Sequence, residues 1–171
     1  MGKIQLSLIL PCYNESEHLM TDVPKILSAL KKLRTAYEII FVEDKSTDET
    51  PLLLKHILRK YKQYRIRVIW QSHNFGRGFA VTTGIKQAKG DIVGYIDVDL
   101  EVSPEYMPKF ISKIREGYDV VCGYRVYDFG FNALHRWFAS NVYRIISQNI
   151  LQHPFHDTEA GYKFFRKQAI V

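Results

Sequence analysis

Cysteine is scarce. Cys12 and Cys122 are the only two in 171 residues, too few for a framework of disulfide staples; reduced thiols of a cytosolic protein are the simpler reading. No apolar run approaches the roughly 18 residues that a membrane-spanning helix needs, and no signal-peptide pattern opens the chain. The sequence holds no internal repeat, linker or low-complexity tract. It also lacks the G-x-x-x-x-G-K-[ST] pattern, so a P-loop is out. Gly76, Gly78 and Gly84 miss the G-x-G-x-x-G spacing and follow the third strand-like run rather than the first. They read either as a tight turn with close helix–sheet packing or as a place where backbone approaches a ligand.

What is present is an ordinary globular composition. With 46% hydrophobic and 25% charged residues, the chain can bury a core and is not a disordered polymer. Its length matches one domain. Lys and Arg number 24 against 18 Asp and Glu, a net charge of +6; this permits nucleic acid, anionic lipid or phosphorylated substrates without choosing among them. Aromatics reach 13%, useful for stacking or for an interfacial surface.

Apolar period and punctuation predict strand and helix in alternation. Ile4–Leu10 is a β-type run stopped by Pro11. Leu19, Val23, Ile26, Leu27, Leu30 and Leu33 recur at helical spacing, and Pro24 fits if the helix restarts near Asp22. Tyr37–Val42 is a second strand, Thr50-Pro51 opens a second helix, and Ile66–Trp70 is a third strand. A helix over Phe79–Ala88, a strand at Asp91–Ile96, a helix opened by Ser103-Pro104 and a strand at Val120-Val121 complete the pattern. The expectation is an α/β fold with a Rossmann-like, mainly parallel sheet covered by helices on both faces. Its site should lie at the carboxyl ends of the strands. Residues 124–156 differ in texture, rich in aromatics with Asp128 the one acid; Leu134, Phe138, Val142, Ile145, Ile146 and Ile150 mark one helical face. The chain stops on the apolar Gln168-Ala-Ile-Val171 inside a continuing pattern, so a truncated chain is expected.

The chemistry concentrates at the predicted strand ends. In Tyr95-Ile-Asp-Val-Asp-Leu-Glu101 the carboxylates of Asp97, Asp99 and Glu101 alternate, and on an extended backbone they point the same way. Three like charges repel unless a cation neutralises them, and Mg²⁺ or Mn²⁺ takes such oxygen ligands, often shared with substrate phosphates. The competing reading is a solvated turn that caps the helix at Ser103. Asp44, in Phe41-Val-Glu-Asp-Lys-Ser-Thr-Asp48, is placed either to accept hydrogen bonds from a base or ribose or to cap, and Asp48 reads better as a cap. Pro11-Cys-Tyr-Asn-Glu15 brings Tyr13 and Glu15 to the same rim.

These blocks, with Asn74-Phe-Gly-Arg-Gly-Phe-Ala80 and Gly90-Asp-Ile-Val-Gly-Tyr-Ile-Asp-Val-Asp-Leu100 in this order, resemble the inverting family-2 glycosyltransferases of GT-A fold. Gly123-Tyr-Arg125 and Asp157-Thr-Glu-Ala-Gly-Tyr-Lys-Phe-Phe-Arg166 are similar to the polyprenyl-phosphate branch, which includes dolichol-phosphate mannose synthases. The resemblance implies one GT-A domain over 1–171, with a nucleotide-sugar and metal half at 1–101 and an incomplete acceptor half at 102–171. It puts Pro11, Tyr13, Glu15, Asp44, Arg77, Gly78, Asp97, Val98 and Asp99 around a GDP- or UDP-linked sugar. It gives Asp97, Asp99 and Glu101 to Mg²⁺ or Mn²⁺, and Arg125, Arg136 and Ser140 to the acceptor phosphate. Departures are Glu43 and Lys45, where the second motif commonly has Asp and Gly, Arg77 where Lys is frequent, and Glu159-Ala160.

The implied reaction is inverting transfer of a sugar to a polyprenyl phosphate at the cytosolic face of an anionic membrane, by a peripheral protein with no nucleic-acid partner. Asp97, Asp99, Arg125 and Asp157 are the implied catalytic group. Arg136, Ser140 and Arg144 lie at i, i+4 and i+8, either a phosphate-binding face beside Trp137 and Phe138 or a solvated helix surface. The rival readings are a family-2 enzyme using a hydroxyl acceptor, with Asp157 as base, a nucleotidyltransferase, and a non-catalytic basic module binding nucleotide or anionic membrane.

Overall fold

The computed structural model describes residues 3–123 and 161–170. Its centre is β1 (Leu6–Cys12), all seven residues of which are buried. β1 pairs in parallel with β2 (Tyr37–Glu43) on one side and with β4 (Ile92–Ile96) on the other. β2 pairs in parallel with β3 (Ile66–Trp70), and β4 pairs antiparallel with β6 (Tyr162–Arg166). With β5 (Val120–Cys122) the six-stranded order is β3-β2-β1-β4-β6-β5. The connecting helices are α1 (Ser16–Lys32), α2 (Thr50–Lys60), α3 (Arg77–Gln87) and α4 (Met107–Arg115), the last preceded by a 3₁₀ turn at Pro104–Tyr106.

Strand alternation splits the core into two layers. Leu6, Leu8, Leu10 and Cys12 pack with Leu19, Val23 and Ile26 of α1, Leu54 and Ile57 of α2, and Met107, Ile111 and Ile114 of α4. On the other face Ile9, Ile40, Val42 and Val93 meet Ala80 and Ala88 at α3. Helices thus cover both faces, as a sheet of mainly parallel strands requires. Gly84 settles one of the sequence alternatives: a Cβ there would stand 2.5 Å from the Ile9 Cγ2, so this glycine serves close helix–sheet packing. Gly76, at φ 87°, makes the tight turn. Gly78 is exposed, with no neighbour near its Cβ direction.

Three local expectations change. β1 runs through Pro11 to Cys12 rather than stopping before the proline. Pro11 lies past Ile9, the last β1 residue in register with β4, so its missing N–H deprives no partner strand. α1 is one helix rather than two: Pro24 sits on its exposed side, while Leu19, Val23, Ile26 and Leu30 are each no more than 1% exposed. That burial outweighs the roughly 3 kcal/mol cost of a proline inside a helix. β6 was not foreseen as a strand; its Tyr162 and Phe164, both fully buried, pack their rings 4.8 and 5.6 Å from Phe110. Chain contacts divide the protein into a unit of 1–121 with 161–171, which includes α4 and β6, and a unit of 122–160. The helix expected across 134–150 lies outside the described residues.

The loops after β1 and β2 are knitted together. The Asn14 N–H donates to Ser46 Oγ at 3.1 Å, and the Thr47 N–H donates to Asn14 Oδ1 at 2.9 Å. The Glu15 N–H donates to Thr50 Oγ1 at 2.8 Å. Asp48 accepts from the Ser16 N–H at 3.1 Å and from the Thr50 N–H at 2.9 Å, so one carboxylate caps the first turns of α1 and α2 together. Lys45, at φ 61°, takes the left-handed conformation suited to glycine, and Glu43 accepts the N–H groups of Lys45 and Ser46. Burial raises the Asp48 pKa, but the hydrogen bonds from Thr50 and Ser16 outweigh it and hold the carboxyl at about 2, below the ordinary 3.8.

Two outcomes follow from this packing. Gly84→Ala is expected to cost about 1–3 kcal/mol by overpacking against the stiff Ile9 side chain, read from the denaturant midpoint. Asp48→Ala is expected to cost about 1–2 kcal/mol at neutral pH through lost caps. Because the folded pKa lies below the unfolded one, the Asp48 contribution is complete above about pH 4 and fades toward pH 2. The stability gap between the two proteins, measured by urea unfolding across that range, should close as pH falls.

Candidate active site

The sheet edge at the carboxyl ends of β1, β2, β3 and β4 carries a cleft of about 280 Å³. β1 is followed through α1 to β2 and β3 on one side, whereas β4 lies on its other side. The chain therefore diverges between β1 and β4, the switch point at which open α/β sheets bind ligands. Pro11, Cys12, Tyr13 and Glu15 line the cleft from β1 and its loop, Asp44 from β2, Asn74, Gly76, Arg77 and Ala80 from the β3–α3 connection, and Asp97 and Asp99 from beyond β4.

Asp44 is 2% exposed. Its Oδ1 accepts the Phe75 N–H at 2.9 Å and its Oδ2 accepts the Gly76 N–H at 2.7 Å. The carboxylate that the resemblance puts at the nucleoside ties the 74–76 loop to the end of β2. Asn74 Oδ1 adds a second acceptor for the Gly76 N–H at 3.0 Å. Asn74 and Cys12 line the cleft without having been singled out; Asn before Phe75-Gly76 is a recognisable turn signal, whereas the buried Cys12 had none.

The acidic side of the cleft is strongly coupled. The Glu15 carboxyl is pushed above its ordinary pKa by burial and then by the charges of Asp99 and Asp97, with His18 opposing. Asp97 is raised by burial, relieved by Arg77, and raised again by Asp99 and Glu101. Arg77 Nη1 meets Asp97 Oδ2 at 3.1 Å. Burial and neighbouring carboxylates together disfavour ionisation here, and perturbed carboxyls gathered in one concavity are a common mark of a functional site.

The alternating face expected for Asp97, Asp99 and Glu101 does not form. β4 ends at Ile96, the chain turns at Asp97–Leu100 with Leu100 at φ 53°, and the Glu101 N–H donates to Asp99 Oδ1 at 3.2 Å. Alternation holds only while the backbone stays extended. Among the described residues no group of three or more His, Cys, Asp or Glu side chains is gathered to hold a metal. Asp97 and Asp99 reach the cleft; Glu101 is not among its lining residues. Two carboxylates still fit Mg²⁺ or Mn²⁺, since such ions are commonly held by one or two carboxylates plus substrate phosphates. Val98 is fully buried in the core instead of lining the cleft, and Gly78 is exposed outside its lining. Arg125, Arg136, Ser140 and Asp157 lie outside the described residues.

The glycosyl transferase family 2 model matches residues 7–171. An uncharacterized glycosyltransferase of Synechocystis sp. is 36% identical over 146 residues, covering 85% of this chain and 45% of the relative. The undecaprenyl-phosphate 4-deoxy-4-formamido-L-arabinose transferase of Yersinia enterocolitica is 30% identical over 166 residues, covering 97% of this chain and 50% of the relative. The chain thus spans about half the length of the curated relatives it matches. Among solved structures, the mannosyltransferase PcManGT of Pyrobaculum calidifontis, in complex with GDP-Man and Mn²⁺, superposes with a TM-score of 0.69 at 18% identity, covering 98% of this chain and 46% of that one. Glucosyl-3-phosphoglycerate synthase of Mycobacterium tuberculosis, with Mn²⁺, UDP and phosphoglyceric acid, gives 0.67 at 19% identity, covering 98% and 57%. The mixed α/β sheet, its switch-point cleft and the matched family model together place this chain in glycosyl transferase family 2, with a GT-A fold.

Proposed function

We propose that this chain carries the nucleotide-binding part of a glycosyltransferase that moves a sugar from a GDP- or UDP-linked donor to a polyprenyl phosphate, with inversion. The observation that carries the reading is the cleft where Glu15, Asp97 and Asp99 converge, with Arg77 beside them. The name of the Yersinia relative, an undecaprenyl-phosphate transferase, supports the lipid-phosphate acceptor. Tyr13, 44% exposed at the rim, offers a ring face to the nucleoside, and Asp44 holds the loop against which the nucleotide would rest.

Asp97 and Asp99 are the residues that would hold a divalent cation; when bound it would supply positive charge at the departing diphosphate. Arg77 stands ready to share that charge, as a guanidinium matches phosphate oxygens well. The reaction is a single displacement: an acceptor phosphate oxygen forms a bond to the anomeric carbon while the bond to the nucleoside diphosphate breaks. A lipid phosphate is already an anion near neutral pH, so no strong general base is required. Arg125, Arg136 and Ser140 are proposed to align that phosphate, on sequence grounds, with Asp157 in the same catalytic group. The acceptor calls for work at an anionic membrane surface, on the cytosolic face. Among the described residues no helix is long and apolar enough to cross a membrane.

In calorimetry, GDP or UDP is expected to bind much more tightly with Mn²⁺ than with EDTA, and Asp99→Asn should erase the difference. Equal affinity with and without the metal overturns the reading. Asp44→Ala should lower stability by about 1–3 kcal/mol, since two N–H groups lose a charged acceptor. It should also weaken nucleotide binding in the same titration; an unchanged affinity would confine Asp44 to holding the loop.

A further inference from the structure

Asp97 owes its position to more than its own strand. β4 and β6 run antiparallel with Ile96 opposite Tyr162, and the Asp97 N–H donates to the Gly161 carbonyl at 3.1 Å. This bond lies just beyond the last rung of the ladder, where β4 gives way to the turn that lines the cleft. The side chain of Asp97 then lies against Gly161. A Cβ built on residue 161 would fall within the Asp97 carboxylate, overlapping Oδ2 and standing 2.9 Å from Oδ1. The overlapped Oδ2 is the oxygen that meets Arg77. The Asp97 side chain is a quarter exposed, so a residue at 161 would displace its carboxylate rather than share the space. The space that a side chain at 161 would need is already filled by the oxygen that faces the cleft.

We infer that Gly161 is a positioning residue for Asp97. Its missing side chain keeps open the volume in which the Asp97 carboxylate faces the cleft, and any larger residue turns that carboxylate away from cation and diphosphate. The inference rests on the role proposed above for Asp97. It adds a residue some 64 positions away in sequence, immediately before the neighbouring strand β6, that decides whether the role can be filled. Close approach, not turn geometry, is what calls for glycine here.

The test joins a metal readout to a stability cycle, both in the 171-residue chain. By calorimetry with MnCl₂ and UDP or GDP, Gly161→Ala is expected to weaken the metal-dependent binding by about 10–100-fold, the range for losing a residue that orients a metal ligand. Binding in EDTA should be unchanged. A purely structural role would lower the unfolding midpoint and leave the Mn²⁺ dependence of the folded protein intact, which would overturn the inference. In the cycle, Gly161→Ala should lower the midpoint in the wild-type background but hardly in an Asp97→Ala background, where the overlapped group is gone. Equal losses in both backgrounds overturn it as well. Should Gly161→Ala alone fail to fold, the double variant is expected to recover the fold, and failure to do so counts against the inference. If the wild type shows no Mn²⁺ dependence, it is the proposed function that falls, and the cycle alone decides the case of Gly161.

Discussion

β1 is sealed from water along its whole length, so each of its backbone polar groups must find a partner in the flanking strands. Parallel pairing with β2 on one side and β4 on the other meets that demand. It forces the chain to leave β1 in one direction and return on the other, and everything functional follows from that divergence. The loops after β1, β2, β3 and β4 end at one edge, and the carboxylates and aromatic at their tips come together because the strands beneath them share a register. Pro11 marks the point where pairing with β4 has ended and the cleft begins.

The edge so formed is held by polar bonds between loops rather than by apolar packing. Asp48 caps two helices, Asn14 exchanges bonds with Ser46 and Thr47, and Asp44 takes two N–H groups from the β3–α3 loop. These bonds stabilise the loops while leaving Glu15, Asp97 and Asp99 in mutual repulsion. The arrangement costs stability locally and is offset by the fully buried strands below. Glu15, Asp97 and Asp99 lie close together there with the Arg77 guanidinium paired to Asp97, an electrostatic setting in which a charged ligand would be strongly felt.

The same division separates what was readable in the chain from what was not. Apolar period and proline punctuation were enough for the order of strands and helices and for the parallel core, because burial of one face imposes a local repeat that any window of residues displays. The strand-end motifs were equally plain: Tyr13, Glu15, Asp44, Arg77, Asp97 and Asp99 were all singled out, and all line the cleft. Their chemistry is carried by residue type, and strand ends are local features. Asp48 was readable as a cap for the same reason, although its second helix was not.

Contacts between distant segments are where the reading stopped. The alternation of Asp97, Asp99 and Glu101 assumed an extended backbone, and the turn at Leu100 breaks it. Val98 reads as part of a motif yet is a core residue, since the turn that presents its neighbours drives its side chain inward. β6, with Tyr162 and Phe164 against Phe110, owes its place to packing against α4 and β4 from far along the chain. By itself the sequence determined the fold class, the strand order along the chain and the residues at the strand tips, because these depend on periodicity and side-chain chemistry within a few residues. Only the tertiary structure decided which oxygen meets which partner: Asp44 on the 75–76 amides, Asp97 between Arg77 and Gly161. Those pairings are set by the register of strands that are remote in sequence, and no local pattern encodes a register between them.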